Sequence, residues 1–291
     1  MRYGVAIPHA NRFATSSALD RMAALVEQLG FDSLWVSDHI IVPEGSSYIP
    51  EQMLEPLAAL SYVAARTTHV ALGVSVLVIP YRDPVFTAKY LSSLDVLSGG
   101  RLVLGVGAGW LKEEFDALGA SYDQRGAQTD EYLEVIRNLW ETETSSFDGK
   151  WKHYENMRMF PKTATERRGT IPIWVGGNTA PSIRRAARLG DGWHPINLTP
   201  LELAEGVTAY RGACDTAGRS PGPICLRHMP GGAAPGSDRP VLTGTPEEQA
   251  SDVRDYAAAG LDELMLSMPW RSLDALAAGL RTFMRDVAPR V

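Results

Sequence analysis

The chain has 291 residues, 45% apolar and 21% charged, which supports a large core and argues against disorder. Its formal net charge of −6 argues against a nucleic-acid partner, because a phosphate backbone calls for a basic stripe and none is visible. Only two cysteines occur, the first strand stops at Pro8, and no apolar run nears the roughly 18 residues that span a bilayer, so the expectation is a cytoplasmic protein without a membrane segment.

Short β-rich apolar runs alternate with segments of helical period. Tyr3 to Ile7 reads as a first strand, and Ser16 or Ser17 as the cap of a helix with Leu19, Met22, Val26 and Leu29 on its apolar face, closed by Gly30. Ser33 to Val36 is a second strand and Pro56 to Ala65 a helix. Val70 to Val76 is a third strand, and Pro84 opens a helix that runs to Gly99. Leu102 to Val106 is a fourth strand, followed by a helix with Tyr132, Val135, Ile136, Leu139 and Trp140 on one face. Ile173 to Val175 is a fifth, with a helix from Pro181 to Leu189, and a short sixth surrounds Gly192-Trp193. Leu201 to Ala217 is helical, Ile224 to Arg227 a seventh strand, Pro246 to Ala259 helical and Glu263 to Leu266 an eighth strand. Leu273, Leu276, Leu280, Phe283 and Val287 mark the last helix.

Eight alternations without a long polar linker favour one domain, a closed (β/α)8 TIM-type barrel with long insertion loops, over an open doubly wound sheet. The segments from Asp38 to Pro50, Thr142 to Thr170 and Met229 to Thr245 exceed ordinary loop length and read as lids or binding loops.

A parallel barrel gathers its site at the C-terminal strand ends. The residues there are Asp38-His39, Ser75-Val76, Gly107-Ala108-Gly109-Trp110, Gly176-Gly177-Asn178, His194 and His228. The glycines from Gly105 to Gly109 lack the third glycine of a dinucleotide fingerprint, since position 110 is Trp. Two readings stand for them: a tight turn, or close approach of a flat ring to the backbone. Backbone N–H groups in the glycine turn before Pro181 form an anion site that needs no side-chain charge. His39 is the candidate catalytic residue, as the side chain whose ordinary pKa lies nearest neutrality. Lys112, Glu113 and Glu114 read as a solvated first turn, and Trp110 as pocket wall or core. His194 and His228 are candidates for the substrate pocket, His9 a weaker one, and His69 and His153 read as surface residues. No metal-ligand cluster and no Gly-x-Ser-x-Gly elbow appear, so neither a metal site nor a serine hydrolase is expected.

Three stretches carry a resemblance: Gly30-Phe31-Asp32-Ser33-Leu34-Trp35-Val36-Ser37-Asp38-His39, Ser98 to Trp110, and Ile171 to Asn178 with Arg184 to Trp193. In this order and spacing they resemble motifs of the bacterial-luciferase-like flavin and F420 oxidoreductases, from the first strand to about residue 195. The resemblance implies a cofactor lying across the strand ends, against Gly107, Gly109 and Gly176. It implies a non-prolyl cis peptide at Ser75-Val76 under the ring, the cofactor phosphate at Gly177 and Asn178, and ring contact for Asp38 and His39. Asp38 then positions the ring edge or His39. Some F420-dependent sugar-phosphate dehydrogenases carry a glutamate where this chain has Trp110, which argues against alcohol oxidation here.

The resulting expectation is an F420-dependent oxidoreductase acting on a small organic substrate, with His39 supplying a proton. An FMN-dependent monooxygenase on the same barrel is the alternative, and a non-catalytic cofactor-binding protein a third. An acidic F420 tail would be met by Arg184, Arg185, Lys162, Arg167 and Arg168. Tyr48, Trp110 and Trp270 suggest an aromatic pocket, and a homodimer through helical faces fits such barrels.

Overall fold

A computed structural model describes residues 1–46, 49–164, 170–229, 239–268 and 271–291 of the chain. Its strands are β1 (Arg2–Ala6), β2 (Ser33–Val36), β3 (Ala71–Val78), β4 (Leu102–Gly107), β5 (Ser145–Asp148), β6 (His153–Met157), β7 (Ile173–Gly176), β8 (Gly192–His194), β9 (Cys225–His228) and β10 (Glu263–Leu266). The helices are α1 (Ser16–Leu29), α2 (Pro56–Ala64), α3 (Pro84–Leu97), α4 (Lys112–Leu118), α5 (Arg125–Glu141), α6 (Ala180–Leu189), α7 (Pro200–Ala217), α8 (Pro246–Ala258) and α9 (Leu273–Thr282).

Eight strands pair in parallel in the order β8-β7-β4-β3-β2-β1-β10-β9. An open doubly wound sheet would leave β8 and β9 as edges. Instead the bridges Trp193↔Ile224 and Ile196↔Arg227 join them. The sheet therefore closes on itself as the expected barrel, with its last seam lightly stitched.

Two-residue alternation sorts the strands into an inner and an outer face. Leu34, Val36, Leu72, Val74, Leu104, Val106, Ile173, Val175, Leu226 and Leu264 point out into the helical layer. Ala6, Trp35, Val103, Trp174, Cys225 and Met265 point in and fill the lumen. Trp35 is fully buried, 5.6 Å from Trp174 and stacked on His194 at 5.2 Å between ring centroids. An indole of this kind buries about 150–250 Å², an upper estimate of roughly 4–6 kcal/mol. The lumen is a packed core with a floor of aromatic rings.

Polar pins tie the N-terminal ends of the strands. Arg101 donates to the carbonyl oxygens of Ala64, Thr67, Val70 and Ser98 and to Thr67 Oγ1, after a turn in which Gly99 and Gly100 adopt positive φ of 72° and 77°. That accounts for the Ser98-Gly99-Gly100-Arg101 part of the central motif as architecture.

Two expectations are corrected. The α1 cap is Thr15, whose hydroxyl accepts from the Ala18 amide. The stretch from Thr142 to Thr170 holds the antiparallel hairpin β5–β6, and Asp148-Gly149, a strong hairpin signal, opens its turn. Tyr48, Trp270, Arg167, Arg168 and most of the glycine-rich segment after Met229 lie outside the described residues. Among the described residues no helix is long and apolar enough to cross a membrane, and no cluster of three His, Cys, Asp or Glu side chains is placed to hold a metal ion.

Candidate functional site

Asp38 leaves the C-terminal end of β2 buried, and its carboxylate is fully engaged. Arg82 donates to both oxygens at 2.7 and 2.8 Å, and the Val78 amide donates at 2.9 Å. Arg82 also reaches Glu55, the cap of α2, at 2.8 Å. Burial pushes the Asp38 carboxyl up, and the guanidinium and amide pull against it. Asp38 thus ties the β2 end to the β3 end, and no contact with His39 is made.

His39 is oriented by a different carboxylate. Its Nδ1 lies 2.9 Å from Glu114 Oε2 on α4. Glu114 also accepts from the amides of Ile40 at 2.5 Å and Ile41 at 3.2 Å, and from the Tyr81 hydroxyl at 2.9 Å. Burial alone would raise this carboxyl, but the His39 ring, the Ile40 amide and Tyr81 together hold it below the usual carboxylate range. An ionised acceptor fixes Nδ1 as the protonated nitrogen of His39 and leaves Nε2 to face a ligand. The ring is only 17% exposed, and the open indole of Trp110 stands edge-on to it at 6.1 Å.

Glu114 was expected to be a solvated residue; it is buried. The signal that exposes it is helical phase. Leu111, Glu114, Phe115 and Leu118 fall at i, i+3, i+4 and i+7, so the acid shares the apolar face of α4.

Behind the mouth, β3, β8 and β9 contribute an inward polar row. The Ser75-Val76 peptide is cis, and the β3–β4 register shifts there. Ser75 Oγ lies 2.7 Å from His194 Nε2, whose Nδ1 is 2.6 Å from the Cys225 carbonyl oxygen. A carbonyl only accepts, so Nδ1 carries the His194 proton and Ser75 donates to Nε2. Arg227 Nη1 donates to the Ser75 carbonyl oxygen at 2.6 Å and approaches its Oγ at 3.5 Å. Val76 forms the apolar part of the same floor. A Cβ at Gly107 or Gly176 would lie 2.6 Å from one of its methyl groups, so both glycines make room for Val76.

Burial lowers the His194 pKa to about 4, so the ring is neutral at pH 7. The unfolded imidazole takes up a proton near pH 6.5, which the folded ring refuses until about pH 4. Stability contributed by His194 is therefore present above pH 6.5 and falls as acid is added across that window, by up to roughly 3 kcal/mol at about 1.36 kcal/mol per unit. Denaturant unfolding at pH 7 and pH 4.5 should show this slope in the wild type and a flatter one in His194→Gln. Equal slopes would assign the acid sensitivity to other groups.

At the end of β7, Gly177 takes a φ of 113°, and a Cβ there would meet Ser182 Oγ at 2.7 Å. The Asn178 side chain is spent on the next loop, donating to Ile196 O at 2.7 Å and accepting from Ile196 N at 3.0 Å. The Gly177 amide, expected to meet a phosphate, donates instead to the His194 carbonyl oxygen at 3.2 Å, and Pro181 has no N–H. With no side-chain cap from Thr179, Asn178, Thr179 and the other first helical residues retain donors for an anion.

Of the basic residues expected near this anion site, Arg185 and Lys162 are used elsewhere, and Arg167 and Arg168 lie outside the described residues. Arg185 and Arg188 pair with Asp130 on α5, and Lys162 donates to the carbonyl oxygens of Leu139 and Thr142. Arg184 and Arg188 line a groove of about 740 Å³ between α6 and α7, on the outer helical layer.

The structure does not bring His228 into the mouth. Alternation along β9 turns Cys225 and Arg227 inward and Leu226 and His228 outward, and His228 sits edge-on to Tyr256 of α8. The strand runs to His228, one residue past the expected end, so the inner residue at the rim is Arg227. His9 is buried, with its ring nitrogens at the Ile7 and Ser37 carbonyl oxygens. Gly109, at a φ of 80°, lies against Val78 and Phe115.

A sequence model of the luciferase-like monooxygenase family matches residues 1–259. A Mycobacterium tuberculosis protein described as uncharacterized, Rv0953c, is 28% identical over 96% of this chain and 95% of its own length. An F420-dependent glucose-6-phosphate dehydrogenase from Kineococcus radiotolerans is 28% identical over 74% of this chain and 63% of that protein. Among solved structures, monooxygenase RslO1 from Streptomyces bottropensis superposes with a TM-score of 0.82 at 24% identity, over 99% of both chains. With its closed parallel barrel and the polar residues gathered at one mouth, the chain belongs to the luciferase-like monooxygenase family.

Proposed function

We propose that the protein is an oxidoreductase that seats F420 across the barrel mouth and acts on a small organic molecule beside His39. The observation that carries this reading is the Glu114-held His39, with Nδ1 at 2.9 Å from the carboxylate and Nε2 free of any partner among the described residues. The residues at the mouth fit such a cofactor. Val76 offers an apolar floor, the uncapped start of α6 offers amides for a phosphate, and Arg227 Nε is a buried donor without an acceptor.

The bound ring would supply the hydride chemistry. The protein's part is to move a proton at His39 Nε2, with Glu114 holding the tautomer and stabilising the imidazolium form. Asn178 and Thr179 present backbone amides to the phosphate, and Gly177, whose own amide is held by the His194 carbonyl oxygen, shapes the turn that aims them. Ser75, Val76, Gly107, Gly109 and Gly176 shape the seat, with His194 beneath and Trp110 on the substrate side. The similarity to an F420-dependent dehydrogenase supports the cofactor.

FMN in the same seat is the second reading. Lys162 and Arg185, expected to meet a long acidic tail, are engaged away from the mouth, which favours a shorter cofactor.

Parallel fluorescence titrations with F420 and FMN test the proposal. Saturable F420 binding with weak FMN binding is expected; the reverse transfers the proposal to FMN, and no binding of either removes it. His39→Ala should cut turnover by roughly 10²–10⁴-fold while cofactor affinity stays within a few-fold. Cofactor binding without turnover on any acceptor would point to a carrier protein.

A further inference from the structure

Arg227 is a cation in a place where cations are costly. It projects inward from β9, and burial lowers its pKa to about 10. No carboxylate pairs with it among the described residues. Its partners there are the carbonyl oxygen and hydroxyl of Ser75, both neutral, and its Nε is shut off from solvent without an acceptor. The groups around it do not compensate. His194 is neutral, and burial also lowers the His9 pKa. Asp38 is committed to Arg82. Glu263, an interior carboxylate, stands two residues lower in the β9–β10 register, bonded to Ser33 and near Arg2 beneath the Trp35 layer. Among the described residues the upper lumen therefore carries a positive charge with no carboxylate partner just behind Ser75 and Val76. An unpaired buried charge of this kind is strongly destabilising unless a ligand answers it.

We infer that Arg227 is the counter-charge for the reduced, anionic state of the ring bound at this mouth, making the site prefer the reduced cofactor over the oxidised one. The inference rests on the proposed ring seat. A ring that accepts a hydride gains two electrons and one proton, so its charge becomes one unit more negative until a further proton arrives. A fixed guanidinium behind the floor attracts most strongly the state of the ring that carries this added charge, whatever charge the oxidised ring already holds. His194 cannot serve instead, because at neutral pH it holds no positive charge.

The test uses the full-length protein and whichever of F420 and FMN it binds, in oxidised and chemically reduced forms under anaerobic conditions. The wild type should bind the reduced form at least tenfold more tightly. Each tenfold preference raises the midpoint potential of the bound couple by about 30 mV, as for any two-electron couple. Arg227→Met should remove most of this preference by weakening the reduced form far more than the oxidised form, and Arg227→Lys should restore most of it. The wild-type ratio needs no variant to fold: a wild type that binds both forms equally overturns the inference. Equal weakening of both forms in Arg227→Met also overturns it and leaves Arg227 a structural pin on Ser75. Failure of the wild type to bind either cofactor is a distinct result, which removes the ring seat and the inference with it.

Discussion

Glu114→Ala is expected to destabilise the fold by about 3–4 kcal/mol and to abolish most turnover. The carboxylate accepts from the Ile40 and Ile41 amides, Tyr81 and the His39 ring, and an alanine accepts from none. Each donor left without a partner in a buried setting costs about 1–3 kcal/mol, and a cavity adds to that. Water can reach part of the His39 ring and the exposed Ile40 and Ile41, which keeps the total below the sum of the separate penalties. Glu114→Gln separates stability from chemistry. Its amide oxygen replaces one of two acceptor atoms, so either His39 or the loop amides lose their partner. We expect cofactor affinity within a few-fold of wild type and turnover down by roughly 10–100-fold, the scale of an outer-shell partner that sets an imidazole tautomer. The positioning role has a specific signature in a double-mutant cycle: with His39 already replaced by Ala, adding Glu114→Gln should cost little further activity. Additive losses would mean that Glu114 acts independently of His39.

The same carboxylate shows what the sequence conceals. Barrel rhythm was legible because strands and helices announce themselves by period, and the proposed strands and their order recur within one or two residues. The residues at the C-terminal strand ends were legible for the same reason, since a parallel barrel gathers them at one mouth. Orientation was harder. His228 and Arg227 are neighbours on β9, and a one-residue error in the strand end exchanges the inner residue for the outer one. Asp38 follows the strand that delivers His39, yet its charge is consumed by Arg82 on a segment 44 residues away. Such pairings depend on tertiary geometry and leave no local pattern. Glu114 lay between these cases, because its helical phase was readable and its charged character hid it.

The central glycines give the second large effect. Gly105→Ala is expected to destabilise by more than about 3 kcal/mol or to prevent folding. Within Gly105-Val106-Gly107-Ala108-Gly109, the sequence admits a ring lying close to the backbone. Gly105, however, points into the lumen, where a Cβ would stand 2.2 Å from the Val74 carbonyl oxygen on the adjoining strand and 3.4 Å from the Trp35 ring. A flexible side chain could swing aside, but a carbonyl within a paired strand cannot move without disturbing the β3–β4 ladder next to Ser75-Val76. Ordinary overpacking costs about 1–3 kcal/mol, and a backbone obstacle belongs at or beyond that range. Gly212→Ala is the matched control. It adds the same methyl group to an exposed position of α7 with nothing within 4 Å, where replacing glycine is worth about 0.5–1 kcal/mol of added helix stability. Denaturant midpoints measured without cofactor should therefore move in opposite directions for the two variants. A Gly105→Ala protein as stable as wild type would show that the lumen has slack above Trp35, and the rigid floor invoked for the site would lose its support.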